Sequence, residues 1–371
     1  MTAAGPPWYE HEMRAPELIA IERGAEDAAM VERCRERAPE VPFAVIEDRR
    51  ELANMLAGDQ ARAKRHLLLA RHRGSFLEHC PAGRGALACC NYLVLNLAAN
   101  CPMDCQYCFL QEYLSDGLPV TAYVNPETAL AEVAEALDPR PDRRFRVGTG
   151  ELADSLALDP LTGLSRDLVP FFAARTNALL ELKTKTTAID DLLALDPKER
   201  VVVSWSLAPP EVVALVEEGT APIDERLAAA GRVVAAGYKV GVHFDPVIEH
   251  DGWEAGYSAL LEAIVRAVPV ERMAWVSMAG LRLTPGLRRR MRERFPGTSL
   301  LAGEQVVGPD GKLRYFQPLR VRMYRRLRER IEEAFPGVPL YLCMETPEVW
   351  FKVFGAQAPA ERALGVCLAA R

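Results

Sequence analysis

Six short runs rich in β-branched and aromatic residues recur between residues 91 and 279: "NYLVLNLAA" (91–99), "RFRVGTGE" (144–151), "LLELKTKT" (179–186), "RVVVSWSL" (200–207), "KVGVHFDPV" (239–247) and "RMAWVSMA" (272–279). Amphipathic helical stretches lie between them, including "PETALAEVAEAL" (126–137), "PIDERLAAAGRVVAAG" (222–237) and "GWEAGYSALLEAIVRAV" (252–268). Asp or Pro opens a helix, and Gly closes it before the next strand. Successive βα units require a parallel sheet with right-handed crossovers. No glycine-rich dinucleotide fingerprint follows the first run. The expected fold is therefore α/β, a partial TIM-type (β/α)6 barrel, and not an open dinucleotide-binding sheet.

The rhythm also divides the chain. Residues 1–90 lack it and are expected to form an N-terminal, mostly helical unit; 91–300 form the barrel. Residues 301–371 are expected to add a hairpin at "GPDG", a basic helix, "RVRMYRRLRERIEEAF", and a closing segment. With 371 residues, 49% of them hydrophobic, a sizeable core is affordable.

Chemistry in such folds sits at the carboxyl ends of the strands. That rule ranks Gly150 and Glu151 after the second run, Lys183 and Lys185 after the third, and Ser204 and Ser206 at the fourth. His243 and Asp245 follow at the fifth, and Ser277 and Met278 at the sixth. His243 and Asp245 would hold ribose or substrate, or else form a core His–Asp pair.

The first strand leads into "NLAANCPMDCQYCFLQEYL" (96–114), which holds Cys101, Cys105 and Cys108 among nine cysteines in all. The N-terminus carries acids and prolines where a signal peptide needs an apolar run. No stretch approaches ~18 uninterrupted apolar residues, so no membrane span is expected. The thiols therefore belong to a reducing, cytoplasmic compartment. A closed zinc site takes four ligands, and no fourth Cys or His stands near in the loop. Cys89 and Cys90 precede the first strand and are expected at the opposite end of the barrel from Cys101. Three thiolates suit a [4Fe-4S] cluster with one iron open to a non-protein ligand; a zinc site or core thiols are the alternative. Tyr107 or Phe109 is expected to shield the cluster.

The spacing C-x3-C-x2-C, with an aromatic before the last cysteine, resembles the signature of the radical S-adenosylmethionine superfamily. The resemblance implies that the open iron is chelated by the amino and carboxylate groups of S-adenosylmethionine. It further implies that one electron cleaves the sulfonium to a 5′-deoxyadenosyl radical. "GTGE" (148–151) is similar to the motif that accepts the methionine ammonium, with Glu151 the acceptor beside Gly150. Lys185 would meet the methionine carboxylate, and Ser204 and Ser206 the ribose or carboxylate. An electron donor of flavodoxin or ferredoxin type is implied as a partner.

Within that superfamily the chain resembles the spore photoproduct lyase family over about residues 93–335. The motifs are "CPMDCQYCFLQEYL", "LKTKTTAIDDLL", "PIDERLAAAGRVVAAGYKVG", "PVIEHDGWEAGY" and "LRYFQPLRVRMYRRLRERIEEAFPG". Gln111 also matches. The resemblance implies repair of DNA thymine photolesions. Two departures stand against a simple transfer. The family keeps a hydrogen-returning cysteine just past the second strand, where this chain reads "VGTGELADSLALD". Phe109 also replaces the tyrosine after the last cluster cysteine, while Tyr107 is kept. Cys343, in "YLCMETPEVW", is a candidate substitute donor or else a buried small apolar residue, and the acids of "METPE" would repel a phosphate backbone if they lined the mouth. Net charge is −6, which predicts no global attraction to nucleic acid. "LRRRMRERF" and "RVRMYRRLRER" are local basic runs whose interleaved acids suit solvated helix faces. The alternatives are the same chemistry on a small molecule, RNA or peptide, and a non-catalytic metal-binding module.

Overall fold

A computed structural model describes residues 15–56, 58–80, 87–88, 90, 92–114 and 118–356. Cys89, Asn91 and the extreme N-terminus, on which sequence expectations fell, lie outside the described residues.

All six expected strands form: Leu93–Leu95, Phe145–Gly148, Ala178–Thr184, Val201–Ser206, Lys239–Val247 and Met273–Gly280. They neighbour one another in that order, all parallel. A seventh parallel strand, Leu340–Leu342, adds beside the sixth, and Leu77–His79 pairs antiparallel with the first. The result is a curled eight-stranded sheet, a partial TIM-type barrel. Helices cover its outer face, so a strand is apolar on both sides; Val201–Ser206 and Met273–Gly280 are buried at every residue. The helices Pro126–Leu137, Ile223–Ala235 and Trp253–Ala267 stand where periodicity placed them. Gly237 follows the second of these at φ +94°, a left-handed turn that a β-carbon would oppose.

The N-terminal unit is not mostly helical. Its centre is a five-stranded sheet that contains Leu18–Glu22, Phe43–Ile46 and His66–Ala70, parallel to one another. Five-residue apolar runs such as "LIAIE" and "HLLLA" carry no periodicity that separates strand from buried helix, which explains the error. One face, with Ile19, Ile21, Leu67 and Leu69, joins the main core. The other, with Ala20, Leu68 and Ala70, packs under the helices Arg49–Leu56 and Gln60–Ala63.

This sheet also takes strands from beyond residue 91. Val120–Tyr123 pairs parallel with His66–Ala70 and antiparallel with Ala98–Ala99. The cysteine loop thus begins and ends on two adjacent paired strands.

The expected hairpin is present, with Gln305–Val307 antiparallel to Leu313–Tyr315. Arg282–Leu283 adds a third strand against Leu313–Tyr315, with Arg282 opposite Arg314. The basic helix Gln317–Ala334 and the helix Pro347–Phe354 follow. Among the described residues no helix is long and apolar enough to cross a membrane.

Candidate active site

The cysteine loop is held at each turn by a named contact. Asn100 adopts φ +66°, which asparagine tolerates, and its side chain accepts from the Cys101 N–H (2.8 Å) and donates to the Leu118 carbonyl (2.7 Å). Lys64, from the N-terminal unit, donates to the carbonyls of Cys101 (2.9 Å) and Met103. The Gln111 amide donates to the carbonyls of Cys105 (3.1 Å) and Gln106 (2.9 Å). Arg294 grips Gln111 Oε1 and Asp104 (2.6 Å) from outside.

Glu217 locks the far side. Its backbone pairs with Cys105. Its buried carboxylate accepts from Arg226 (2.8 Å), Lys185 (2.9 Å) and the Tyr107 hydroxyl. Tyr107 is therefore the inward aromatic. Of the two aromatics offered as shields, Phe109 is the outward one: it is 43% exposed and leans on Tyr113 at 6.1 Å between ring centroids.

The three thiols share one electrostatic neighbourhood. Burial, then Asp154, pushes Cys101 up to about 12 against the pull of Lys64. Burial and Glu217 push Cys105 well above the thiol range, opposed by Lys185. Metal binding would displace these protons. Among the described residues no three His, Cys, Asp or Glu side chains converge tightly enough to hold one ion. An iron–sulfur cube spreads its ligands wider than a single ion does. Three soft thiols on one loop, with Lys64 and Lys185 beside it, fit such a cluster.

The loop lies over the ends of the second and third strands. Asp154 accepts from Thr184 Oγ1 and the Lys185 N–H, both at 2.8 Å, and so ties the loop after the second strand to the third. Gly150 is a close approach: a β-carbon there would stand 2.9 Å from Lys183 Cβ and 3.2 Å from Ser155 Oγ. Glu151 is half-buried; Tyr92 donates to it at 3.4 Å. Burial raises its carboxyl, Asp245 adds to that, and Lys183 and Arg282 oppose. The Lys185 ammonium is already neutralised by Glu217. The Ser206 side chain has no hydrogen-bond partner among the described residues, though the residue is only 3% exposed.

Below the mouth lies a second polar layer. Glu181 accepts from Arg146 (2.7 Å), Ser204 (2.8 Å) and His243 (2.7 Å). His243 Nδ1 meets Ser277 Oγ at 2.6 Å. Burial, then Lys183, lowers the His243 imidazole below its usual range, while Glu181 opposes. Arg146 also donates to Tyr341 (3.0 Å) and stacks 4.3 Å over Trp275. Ser204 and His243 are thus committed to Glu181, not to a ribose, and His243 does not pair with Asp245. Asp245 instead meets Arg282 (3.0 Å) and Lys183 (3.8 Å) one level higher.

Cys343 follows the seventh strand, its N–H on the Met278 carbonyl at 2.9 Å. Its thiol is within electrostatic reach of Asp245, Arg282 and Lys183. Burial, then Asp245 and Cys90, pushes it up to about 12, so at neutral pH it stays S–H. Glu345 in "METPE" does not line the mouth; it is buried against Arg320 (2.9 Å) and Tyr324 (2.8 Å).

A family model described as spore photoproduct lyase matches residues 87–340. The chain belongs to the spore photoproduct lyase family. The family is one of radical S-adenosylmethionine enzymes that use a [4Fe-4S] cluster and S-adenosylmethionine. Spore photoproduct lyase of Geobacillus sp. (strain Y412MC61) is 30% identical over 206 residues, 55% of this chain and 60% of that protein. That of Bacillus subtilis (strain 168) is 28% identical over 210 residues, 56% and 61%. The match thus spans about 60% of the length of these curated relatives. Two solved spore photoproduct lyase structures align over 88% of this chain and 98% of theirs, with TM-score 0.76 and 24% identity. One is a mutant with bound AdoMet and dinucleoside spore photoproduct, the other a complex with dinucleoside spore photoproduct. At that identity they speak for the fold.

Glu151, Lys185 and Asp245 were singled out as polar residues ending apolar strands, and Cys101, Cys105 and Cys108 by their spacing in the loop after the first. Glu217, Asp154, Arg146, Glu181, Arg282 and Lys64 were not singled out. Glu181 and Arg146 did carry a signal, as charged residues inside strand-forming runs.

Proposed function

We propose that this chain is a radical S-adenosylmethionine enzyme that acts on thymine photolesions in DNA, with Cys343 as the hydrogen-atom donor. The observation that carries the reading is the three-thiol loop fixed over the carboxyl ends of the barrel strands, with a protonated thiol beside the same mouth. When bound, the cluster and S-adenosylmethionine supply a carbon radical that abstracts hydrogen. The chain's own residues do the rest. Cys101, Cys105 and Cys108 hold the cluster. Gly150 lets the loop after the second strand close against Lys183, Glu151 accepts the methionine ammonium, and Lys185, with Ser206, meets its carboxylate or ribose. Tyr107 is held inward by Glu217. Asp245 is clamped by Arg282 and Lys183 as a fixed acceptor at the mouth. Cys343 S–H gives a hydrogen atom to the product radical, replacing the cysteine missing after the second strand.

The second reading, the same chemistry on a different substrate, is favoured by that missing cysteine. Incubating the anaerobically reconstituted, reduced protein with S-adenosylmethionine and ultraviolet-irradiated DNA separates them by mass spectrometry. Formation of 5′-deoxyadenosine with loss of the spore dimer supports lesion repair. 5′-Deoxyadenosine with the dimer intact moves the substrate elsewhere. Absence of 5′-deoxyadenosine refutes both.

A further inference from the structure

The chain has two Arg-rich helices, and they differ in one respect. On Gln317–Ala334 the arginines are mostly spent: Arg320 on Glu345, Arg326 on Glu254 and Glu329, Arg328 on Glu332, Arg330 on Glu333. On Pro285–Arg294 only Arg294 is ion-paired among the described residues, and it holds the cysteine loop. Arg288, Arg289, Arg290 and Arg292 have no carboxylate partner among the described residues, and Arg289 and Arg292 are exposed.

This unpaired helix lies along the cysteine loop. A β-carbon at Gly286 would run into the Glu112 carboxylate, and two turns later Arg294 reaches Gln111 and Asp104. Arg290 occupies the turn between those two contacts, with Arg289 beside it on the solvent side. The short helix Leu110–Tyr113 that packs on Pro285–Arg294 carries Phe109, next to the last cysteine, at its start and Tyr113, 66% exposed, at its end. Exposed aromatics on one helix, with guanidinium groups that lack a carboxylate partner among the described residues on the helix packed against it, form a local attractor for an acidic protein surface in a chain of net charge −6. The patch is also the solvent face next to Cys108.

We propose that the Phe109–Tyr113 face with the arginines of Pro285–Arg294 is the docking surface for an acidic one-electron donor protein. The inference rests on the radical S-adenosylmethionine reading and names the partner of that same site. The donor loses one electron and the group held by the cysteine loop gains one. Charge complementarity sets approach and orientation, and the aromatic pair supplies the desolvated centre of contact.

The test uses the full chain, cluster-loaded, with a flavodoxin as probe. Binding is read by titration of flavin fluorescence, and cluster reduction by loss of visible absorbance on mixing with the hydroquinone. Arg289→Glu and Tyr113→Ser should each weaken flavodoxin binding about tenfold or more and slow reduction in step. Dithionite-driven reduction should be unchanged. Arg322→Glu, on the other basic helix, should behave as the parent, and high salt should erase the difference between parent and Arg289→Glu. Equal affinity of parent, Arg289→Glu and Tyr113→Ser overturns the proposal. So does a loss in Arg289→Glu of duplex DNA binding with flavodoxin binding intact, which would make the face a nucleic-acid surface. If dithionite yields no 5′-deoxyadenosine from the parent, the enzymatic reading fails, while the titration still decides the surface.

Discussion

Replacing Glu217 by Ala should loosen the cysteine loop by a calculable amount. The carboxylate side chain is 1% exposed, and it neutralises Arg226 at 0% and Lys185 at 16%. Removing one partner of a buried pair leaves an uncompensated charge and costs about 3–5 kcal/mol. Arg226 bears most of that cost, because its other contacts, the carbonyls of Ala221 and Ser206 and the Thr220 hydroxyl, are neutral. Lys185 can turn towards solvent. Glu217 also pairs through its backbone with Cys105, so the strain falls on the loop. The assay is hydrogen–deuterium exchange of the peptide covering residues 101–113. If the cost appears as local opening, exchange there should quicken by roughly a hundred- to a few-thousand-fold, at about 1.4 kcal/mol per decade. Glu217→Gln keeps one acceptor and should fall between Ala and the parent. Glu217→Leu with Arg226→Met removes both charges and should recover most of the loss. Exchange within threefold of the parent in Glu217→Ala, or a double variant no better than the single, would refute the reasoning.

Other outcomes follow from the same contacts. Cys105→Ala should abolish cluster absorbance after reconstitution; unchanged iron content would make the ligand assignment wrong. Cys343→Ala should leave formation of 5′-deoxyadenosine intact but suppress repaired product, with side products rising; an unchanged product yield would show that hydrogen comes from elsewhere. Gly241→Ala places a β-carbon 2.3 Å from Ser204 Oγ and 2.7 Å from Trp275 Nε1, so urea denaturation should show a loss of about 1–3 kcal/mol. For Asp245, burial alone would raise the carboxyl, but Arg282 and then Lys183 bring it down from 3.8 to about 2. Its stabilisation is present above pH 3.8 and is lost as pH falls through 2, a difference of about 2 kcal/mol. The stability gap between the parent and Asp245→Asn should therefore shrink as pH falls through that range, and a pH-independent gap would contradict the assignment.

The sequence by itself determined the barrel and the three-cysteine loop that follows its first strand. A strand's period of two and a helix's period of 3.6 are local, so all six strands appear within a few residues of their expected places. The cysteine spacing is equally local, because one short loop must reach one cluster. The N-terminal sheet was missed because a short, fully buried apolar run carries no period at all. His243 and Asp245 show the other limit. Alternation placed both on one face, yet it could not show that Glu181 takes the first while Arg282 and Lys183 take the second. Glu217 and Lys185 are likewise separated by 32 residues and a whole barrel strand, and meet at 2.9 Å. Whether a charged side chain faces a ligand, a partner or solvent depends on which distant charge the closed sheet brings to it. Only the tertiary structure decides that, because burial makes each unpaired charge costly and so forces the pairing.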